Sequence, residues 1–216
     1  QIMEALGGGA GTVAFAHLPL LTGAAGEGLS KREGARGLAD LRQDGIEPMA
    51  LNALLALIGT SDPVRPVTDM AALVDGFGWR KFSRASPKFD AAALVQLNAR
   101  LLHEFSFAAI RDRLAGLGVE AADEAFWNAV RPNLQRLSDA AQWWHVVNGP
   151  IKPIIEDEPY IADAAAALPP APWDEATWRR WTEAVKDKTG RKGRALFHPL
   201  RLALTGVEHG PELKLL

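Results

Sequence analysis

The feature of this sequence that most constrains the fold is the frequent interruption of its apolar stretches. Glycine and proline occur 20 and 14 times in 216 residues, and these residues, with capping Asp or Ser, mark where helices begin and end. Stops such as Asn148-Gly149-Pro150 limit each helix to a few turns. No repeat of fixed period is present. We therefore predict a mainly α protein made of short helices, with strands nearly absent after residue 24.

These signals predict where the elements lie. A short apolar run at 13–21, interrupted by Pro19, is typical of a buried strand that leads into a loop. Asp90 and Ser106 are predicted helix caps, and the apolar positions 94, 97 and 101 recur at helical spacing after Asp90. The other predicted helices cover 37–44, 48–58, 69–74, 107–115, 121–130, 133–147, 162–168, 174–188 and 194–205, with a last helix that opens at Pro211.

The overall composition excludes several classes of protein. The net charge is −2, from 24 Lys and Arg against 26 Asp and Glu, so any nucleic-acid binding has to come from local basic patches. The sequence has no cysteine, which excludes disulfides and thiolate metal sites and favours a reducing cytoplasm. Apolar runs such as 51–58 are much shorter than the roughly 20 residues of a membrane span. The five histidines are scattered, which disfavours a zinc site.

A short loop at 27–35 combines a basic pair with two glycines. Ser30 offers a hydroxyl, and Lys31 and Arg32 bring positive charge to one point, which suits a polyphosphate ligand. An ordinary surface turn has the same composition. From these nine residues alone the surface turn is the preferred interpretation, and the phosphate site is the alternative.

Two other stretches are candidates for RNA contact. The densest basic cluster is either an edge that contacts phosphates or a solvated turn; it consists of Lys186, Lys188, Arg191, Lys192 and Arg194. Trp143-Trp144-His145 is either a base-stacking platform or core. Since adjacent helical residues point about 100° apart, we expect at least one of these tryptophans to be core. The acids at 156–158 are interpreted as a solvated face.

Three features follow one another in a fixed order along the chain, and the first of them combines two short motifs. His-Leu-Pro-Leu-Leu at 17–21 precedes Leu-Ser-Lys-Arg at 29–32, then comes 45–51, and Pro-Leu-Arg-Leu-Ala-Leu-Thr-Gly ends the series at 199–206. With Phe89-Asp90, Leu94, Leu97 and Asn98, this order resembles the C-terminal half of bacterial glutamyl-tRNA synthetases, which are class I aminoacyl-tRNA synthetases. The resemblance covers essentially the whole chain and, with the mid-pattern start at Gln1, suggests a fragment of a longer protein.

The resemblance implies a division of labour. The family binds ATP and glutamate in an N-terminal Rossmann-type domain with a HIGH-type motif, forms glutamyl-adenylate and transfers the glutamyl group to tRNA. No His-x-Gly-His occurs in this chain, so we expect that it does not aminoacylate alone. ATP with Mg²⁺ is implied for the full-length enzyme, and no cofactor is expected in this fragment.

The Leu-Ser-Lys-Arg loop resembles the family's KMSKS-type loop. Ser30, Lys31 and Arg32 are then the implied ATP contacts, and Lys31 matches the lysine that the family uses in catalysis. A mobile ammonium can follow charge onto the departing pyrophosphate. Gly28 departs from the pattern, because the family usually has a lysine at this position.

The resemblance also implies that the chain consists of four parts. These are the end of the catalytic core (1–35), a helical connecting domain (36–88), and two subdomains of a helical anticodon-binding region (89–148 and 149–216). A short remnant of the Rossmann-type domain is thus expected at the N-terminus.

The anticodon reader is expected near Arg131-Pro132-Asn133. The family has an Arg-Pro-Arg type sequence there, and its second arginine resembles a reader of the third anticodon base. Asn133 is neutral and carries both a donor and an acceptor, so it is less selective than a guanidinium. We therefore hypothesise that tRNA for glutamine is charged as well as, or instead of, tRNA for glutamate. Arg201 is expected to face RNA or to lock domains, unless it only pairs with a carboxylate.

The expected protein is a monomeric, cytoplasmic, tRNA-binding part of a glutamate–tRNA ligase, without a membrane segment. ATP and glutamate are expected as ligands only together with the N-terminal domain. A stand-alone helical RNA-binding or adaptor module without catalysis is the alternative. A reading frame upstream of Gln1 that encodes roughly 250 residues with a His-x-Gly-His motif would favour the ligase.

Overall fold

The structure is a computed structural model that describes residues 5–7, 15–29 and 37–216. The predicted mainly α fold is confirmed, and the chain divides into two compact units, Gln1–Leu97 and Asn98–Leu216. The elements in chain order are β1 (Thr22–Gly23), α1 (Leu38–Gln43), α2 (Pro48–Leu57), α3 (Met70–Asp75), β2 (Lys88–Phe89), α4 (Ala91–Glu104), α5 (Phe107–Ala115), α6 (Glu124–Val130), α7 (Asp139–Asn148), α8 (Glu158–Ala166), α9 (Thr177–Thr189) and α10 (Arg194–Thr205).

The first unit combines short helices with a two-stranded parallel sheet. Strand β1 pairs with β2, with Thr22 opposite Lys88 and Gly23 opposite Phe89. Helix α2 begins at Pro48, as the sequence predicts, because proline at the first turn needs no hydrogen-bond donor. Helix α3 begins where the carboxylate of Asp69 accepts the amide of Ala71.

The second unit has its main core between α4 and α7. Helices α5 and α6 begin at side-chain caps, since Ser106 accepts from Ala109 and Asp123 from Phe126, and each cap satisfies an amide of the first turn. The buried residues of this core are Leu102, Ile110, Leu114, Val119, Phe126, Trp127, Val130, Leu134, Leu137, Ala140 and Trp143.

A second core cluster in the same unit joins α8, α9 and α10. It consists of Tyr160, Ala164, Trp181, Val185, Leu196 and Leu200. Two buried hydrogen bonds tie the helices together, from Tyr160 Oη to the carbonyl of Leu196 (2.6 Å) and from Trp181 Nε1 to that of Ala164 (2.7 Å). Because both rings use their polar atoms within the protein, the cluster buries aromatic area without unpaired polar groups.

Several predicted helix starts were displaced. The helix predicted from 121 begins at Glu124, and the one predicted at 133–147 begins at Asp139 after a 3₁₀ turn at Arg131–Asn133. The carboxylate of Asp139 accepts the amides of Gln135 (3.1 Å) and Arg136 (2.9 Å). These bonds stabilise an irregular segment in place of helix. The helix predicted at 162–168 starts earlier, at Glu158, and the one predicted from Asp174 starts at Thr177.

Two predictions at the ends of the chain were wrong. The predicted helix from Pro211 is absent, and residues 211–216 form turns, one closed by the amide of Leu215 on the carbonyl of Glu212. Residues 15–21 form no strand, and Phe15 and Leu20 are 77% and 73% exposed. The rest of that predicted strand, residues 13 and 14, lies outside the described residues.

The contact boundary between residues 97 and 98 falls within α4. The four domain ranges stay predictions. None of the helices among the described residues is long and apolar enough to cross a membrane.

Candidate nucleic-acid interface

The basic cluster lies around the turn between α9 and α10. Gly190 ends α9 with φ +70°, and Gly193 precedes α10 with φ +55°. Both values lie in the left-handed region that side chains with a Cβ rarely adopt. The two glycines therefore allow the turn that presents the Arg191-Lys192 dipeptide between them.

Three cations of this turn are free to meet a ligand. Lys186, Lys192 and Arg194 are exposed, and none of them has an ion pair or side-chain hydrogen bond with any residue in the described parts of the chain. Unpaired lysines and arginines on one turn attract an anionic polymer such as an RNA backbone. We name this set, Lys186, Lys192 and Arg194, the basic turn.

The other two cations of the predicted cluster are paired within the protein. Arg191 Nη2 contacts Asp157 Oδ2 at 2.5 Å, and its guanidinium lies 4.1 Å from the centroid of the Tyr160 ring. Lys188 Nζ contacts Asp163 Oδ1 at 2.9 Å. Both pairs link α9 or the turn after it to α8. These residues fix the scaffold that carries the basic turn.

Asp157 has two structural tasks, which corrects its interpretation as part of a solvated acidic face. Its Oδ1 accepts the amide of Tyr160 and caps α8, while Oδ2 accepts from Arg191. The hydrogen bond from Arg191 and then the one from the Tyr160 amide hold the pKa of this carboxyl below its usual range. Asp157 followed by Glu158-Pro159 is an N-cap signal, which the sequence analysis missed.

The predicted anticodon-reading segment forms a 3₁₀ turn after α6. Arg131 is half-buried, and its Nη1 donates to the carbonyl of Phe105 (3.1 Å), which also accepts from Trp127 Nε1 (2.9 Å). Asn133 is exposed. The arginine therefore anchors the turn to the core, and the asparagine is the member of the pair that a ligand can reach.

The segment after Asn133 is held from α4. Asn98 is fully buried, and its Nδ2 donates to the carbonyl of Gln135 at 2.7 Å. Leu134 and Leu137 are buried beside it. Next to this segment, burial and then the charge of Arg131 lower the pKa of His103. Asn98, one of the residues on which the resemblance rests, thus holds the backbone two residues after Asn133.

Arg201 holds the end of the chain. Its Nη2 donates to the carbonyl of Pro211 at 2.8 Å, while Nη1 is buried without a hydrogen-bond partner among the described residues. Burial lowers the pKa of this guanidinium. The structure pairs Arg201 with a carbonyl rather than a carboxylate.

The predicted ATP loop is only partly described. Ser30, Lys31 and Arg32 lie outside the described residues, so their role as ATP contacts stays a prediction. Gly28, where the family pattern has lysine, is exposed and forms an isolated bridge to Thr22. A Cβ at Gly28 would meet no atom of the described residues within 4 Å. Close packing against these residues therefore does not require the glycine.

The remaining candidates have structural explanations. Trp143 is 6% exposed and belongs to the core. Trp144 is half-buried and packs edge-on against Phe126 of that core, with ring centroids 5.1 Å apart. Among the residues that the structure describes, no group of three or more His, Asp or Glu side chains could hold a metal ion.

Comparison with known proteins identifies the family and relatives of this chain. A family described as "Anticodon binding domain" matches residues 102–215. The chain is 52% identical over 217 residues to "Glutamate--tRNA ligase 2" of Methylorubrum populi, covering 100% of this chain and 48% of that protein. It is 56% identical over 214 residues to "Glutamate--tRNA ligase 2" of a Methylobacterium species, covering 99% and 47%.

Solved structures show the same fold. A glutamate tRNA ligase from Elizabethkingia meningosepticum matches with TM-score 0.74 and 21% identity, over 100% of this chain and 50% of that one. The glutamate-tRNA synthetase of Elizabethkingia anophelis matches with TM-score 0.70 and 21% identity, over 99% and 49%.

The chain spans about half the length of the curated relatives it matches. The resemblance to glutamyl-tRNA synthetases, inferred from the order of short motifs, is confirmed by these relatives, which are aminoacyl-tRNA synthetases. Since the family match at 102–215 covers more than half of the sequence, the chain belongs to the anticodon binding domain family.

Proposed function

We propose that this chain is the tRNA-binding, C-terminal part of a glutamate–tRNA ligase. The observation that carries the proposal is the family match over 102–215, which contains both the basic turn and the exposed Asn133. The two relatives named above are glutamate–tRNA ligases, and they match essentially all of this chain at 52% and 56% identity. They favour this function over a stand-alone RNA-binding or adaptor module.

The proposed roles differ between the two candidate surfaces. The basic turn contacts backbone phosphates, which positions the RNA but does not read its sequence. Asn133 contacts a base edge of the anticodon, because unpaired RNA loops are read through exposed base edges. Arg131, Lys188, Arg191 and Arg201 support these contacts through the pairs described above.

Binding of tRNA transcripts to the chain tests this proposal. We expect tRNA(Glu) to bind more tightly than the same transcript with its anticodon bases replaced, measured by fluorescence anisotropy at low salt. Lys192→Gln should weaken both transcripts equally, since a phosphate contact carries no sequence information. Arg111→Gln is the control, because Arg111 is exposed but paired with Asp112 at 3.3 Å. Equal affinity for the two transcripts would contradict the proposal.

The tRNA preference is a separate part of the proposal. Asn133 offers a neutral donor and acceptor in place of a guanidinium, so we propose that the ligase accepts tRNA(Gln) as well as, or instead of, tRNA(Glu). Asn133→Arg should shift charging by the full ligase toward tRNA(Glu), measured as the ratio of kcat/KM for the two tRNAs. Strict rejection of tRNA(Gln) by the unchanged enzyme would contradict the proposed tRNA preference.

For the whole ligase we propose ATP, with Mg²⁺, and glutamate as ligands. Ser30, Lys31 and Arg32 would contact the ATP phosphates, with Lys31 following the charge that develops on pyrophosphate. Lys31→Ala should lower the rate of glutamate-dependent ATP–pyrophosphate exchange while tRNA binding by the chain stays unchanged. Loss of both would assign Lys31 to folding or RNA binding instead.

We further propose a cytoplasmic monomer. The absence of cysteine from the sequence supports a reducing compartment. Sedimentation of the chain over a range of concentrations tests the monomer, and a mass that rises with concentration would contradict it.

A further inference from the structure

An exposed aromatic cluster in the first unit has no role in the proposed anticodon reader. Phe77, Trp79 and Phe82 contact one another, with ring centroids 5.0 Å apart for Phe77 and Trp79 and 5.7 Å for Phe77 and Phe82. Phe77 and Trp79 are nevertheless 50% and 60% exposed. We name these three residues the aromatic cluster. It lies in the unit 1–97, outside the family match.

A cavity of about 270 Å³ adjoins this cluster. Phe77 and Phe82 form part of its wall, together with Leu57 and Leu73, and Arg65 lines it as well. The space is large enough for a nucleobase beside two aromatic rings. The cavity thus offers an apolar surface and a cation to the same ligand.

The unpaired charges beside the cavity favour an anionic ligand. Lys81 Nζ is occupied by Asp62 Oδ2 (2.8 Å) and by the carbonyl of Gly76 (2.7 Å), so the carboxylate in the cavity wall is neutralised. Arg65 and Arg80 are exposed and have no partner among the described residues. The free charge at this surface is therefore positive.

The surrounding sequence strengthens this charge. Residues 76–89 contain no acid and, besides the paired Lys81, three cations without an ion pair among the described residues, Arg80, Arg84 and Lys88. The exposed Asp75 and Asp90 flank the segment. Aromatic rings beside unpaired cations are typical of sites that bind single-stranded nucleic acid. Protein interfaces share the enrichment in aromatic residues and arginine, so RNA binding has to be tested against a protein contact.

We propose that the aromatic cluster and the adjacent cavity bind an unpaired nucleotide of RNA. The base stacks on the exposed rings of Phe77 and Trp79 or enters the cavity against Phe82, and the backbone phosphates are neutralised by Arg65 and Arg80. This site is independent of the anticodon-reading function proposed above, because it uses none of the same residues.

The test measures anisotropy of fluorescein-labelled hexa-adenylate and of a blunt 12-base-pair RNA duplex on the 216-residue chain. Loss of a stacked base weakens single-strand binding by about tenfold, so Trp79→Ala should weaken the hexanucleotide about tenfold and leave the duplex unchanged. Trp173→Ala is a matched control in the other unit, since Trp173 is 62% exposed but contacts no second aromatic ring among the described residues. It should leave both affinities unchanged.

A charge variant provides a second measurement. Arg80→Gln should lower the salt dependence of hexanucleotide binding by about 0.7 in the slope of log K against log salt, the contribution of one phosphate contact on a single strand. Hexanucleotide affinity that is the same in Trp79→Ala and the unchanged chain overturns the proposal. So does absence of hexanucleotide binding at low salt. A change in the sedimentation of the chain on Trp79→Ala, without a change in RNA affinity, would assign the cluster to a protein contact instead.

Discussion

At the scale of single residues, neighbours of the same charge have different tasks. Arg191 is half-buried against Tyr160 and Asp157, whereas Lys192 is exposed and unpaired among the described residues. A planar guanidinium can stack on a ring and donate to a carboxylate at once, which an ammonium cannot. Arg191 is therefore expected to contribute to stability and Lys192 to binding.

Replacing Arg191 with lysine keeps the charge and removes the stacking. We expect Arg191→Lys to lower the free energy of unfolding by at most about 1 kcal/mol, the usual worth of a partly buried cation–π contact, because an ammonium keeps part of that contact but not the planar stacking. Lys192→Ala is the control and should leave the free energy of unfolding unchanged. Urea unfolding followed by circular dichroism measures both. If Arg191→Lys is as stable as the unchanged chain, stacking of Arg191 on Tyr160 does not contribute to stability.

The Asp157 carboxyl predicts an acid dependence of stability. Its pKa is lowered in the folded chain, chiefly by the hydrogen bond from Arg191, so the unfolded chain binds the proton more tightly and stability increases with pH. The contribution is complete above the ordinary carboxyl pKa of about 4. It is lost as the pH falls through the lower, folded value.

The measurement is the free energy of unfolding of the unchanged chain and of Asp157→Asn between about pH 2 and pH 6. We expect the difference between the two to be largest near pH 6 and to shrink as the pH falls below about 4. A difference that stays constant over this range would show that the Arg191 hydrogen bond does not depend on the charge of Asp157.

At the scale of elements, glycines decide the course of the basic turn. Gly193 has φ +55° and ψ −133° before α10, a conformation that is strained for any residue with a Cβ. A Cβ there would meet no atom within 4 Å. Any cost of a substitution therefore comes from the backbone alone.

Gly193→Ala should lower the free energy of unfolding by about 1–2 kcal/mol and weaken tRNA binding through Lys192 and Arg194. Gly116→Ala is the matched control, because Gly116 ends α5 in a right-handed conformation with φ −62° and should tolerate alanine at little cost. Thermal unfolding and anisotropy with tRNA check the two effects. An unchanged stability of Gly193→Ala would mean that the backbone of this turn can adopt another conformation without a cost in free energy.

At the scale of the whole molecule, the net charge of −2 makes RNA binding a local property. With three phosphate contacts from the basic turn, the slope of log K against log salt is expected near −2, since each contact contributes about 0.7. Lys186→Gln should reduce its magnitude by about 0.7. Arg111→Gln should not change it. Binding that is independent of salt would exclude the basic turn as the phosphate contact.

The sequence by itself predicted the features that depend on a few neighbouring residues. The caps at Asp69, Ser106 and Asp90 place side-chain oxygens on amides two or three positions ahead, so these helix starts are encoded locally. Strong glycine and proline stops gave the short helices and hence the fold class. The order of motifs gave the family.

The tertiary structure alone decided which charges are available. Arg191 and Asp157 are 34 residues apart in sequence, and Arg201 meets the carbonyl of Pro211 ten residues away, so no local pattern separates them from the free Lys192. The irregular segment before α7 is likewise held by a distant residue, Asn98, which reaches the carbonyl of Gln135 across 37 residues. A buried polar atom needs a hydrogen-bond partner. That partner can come from any residue that packing brings near, however far away it is in sequence.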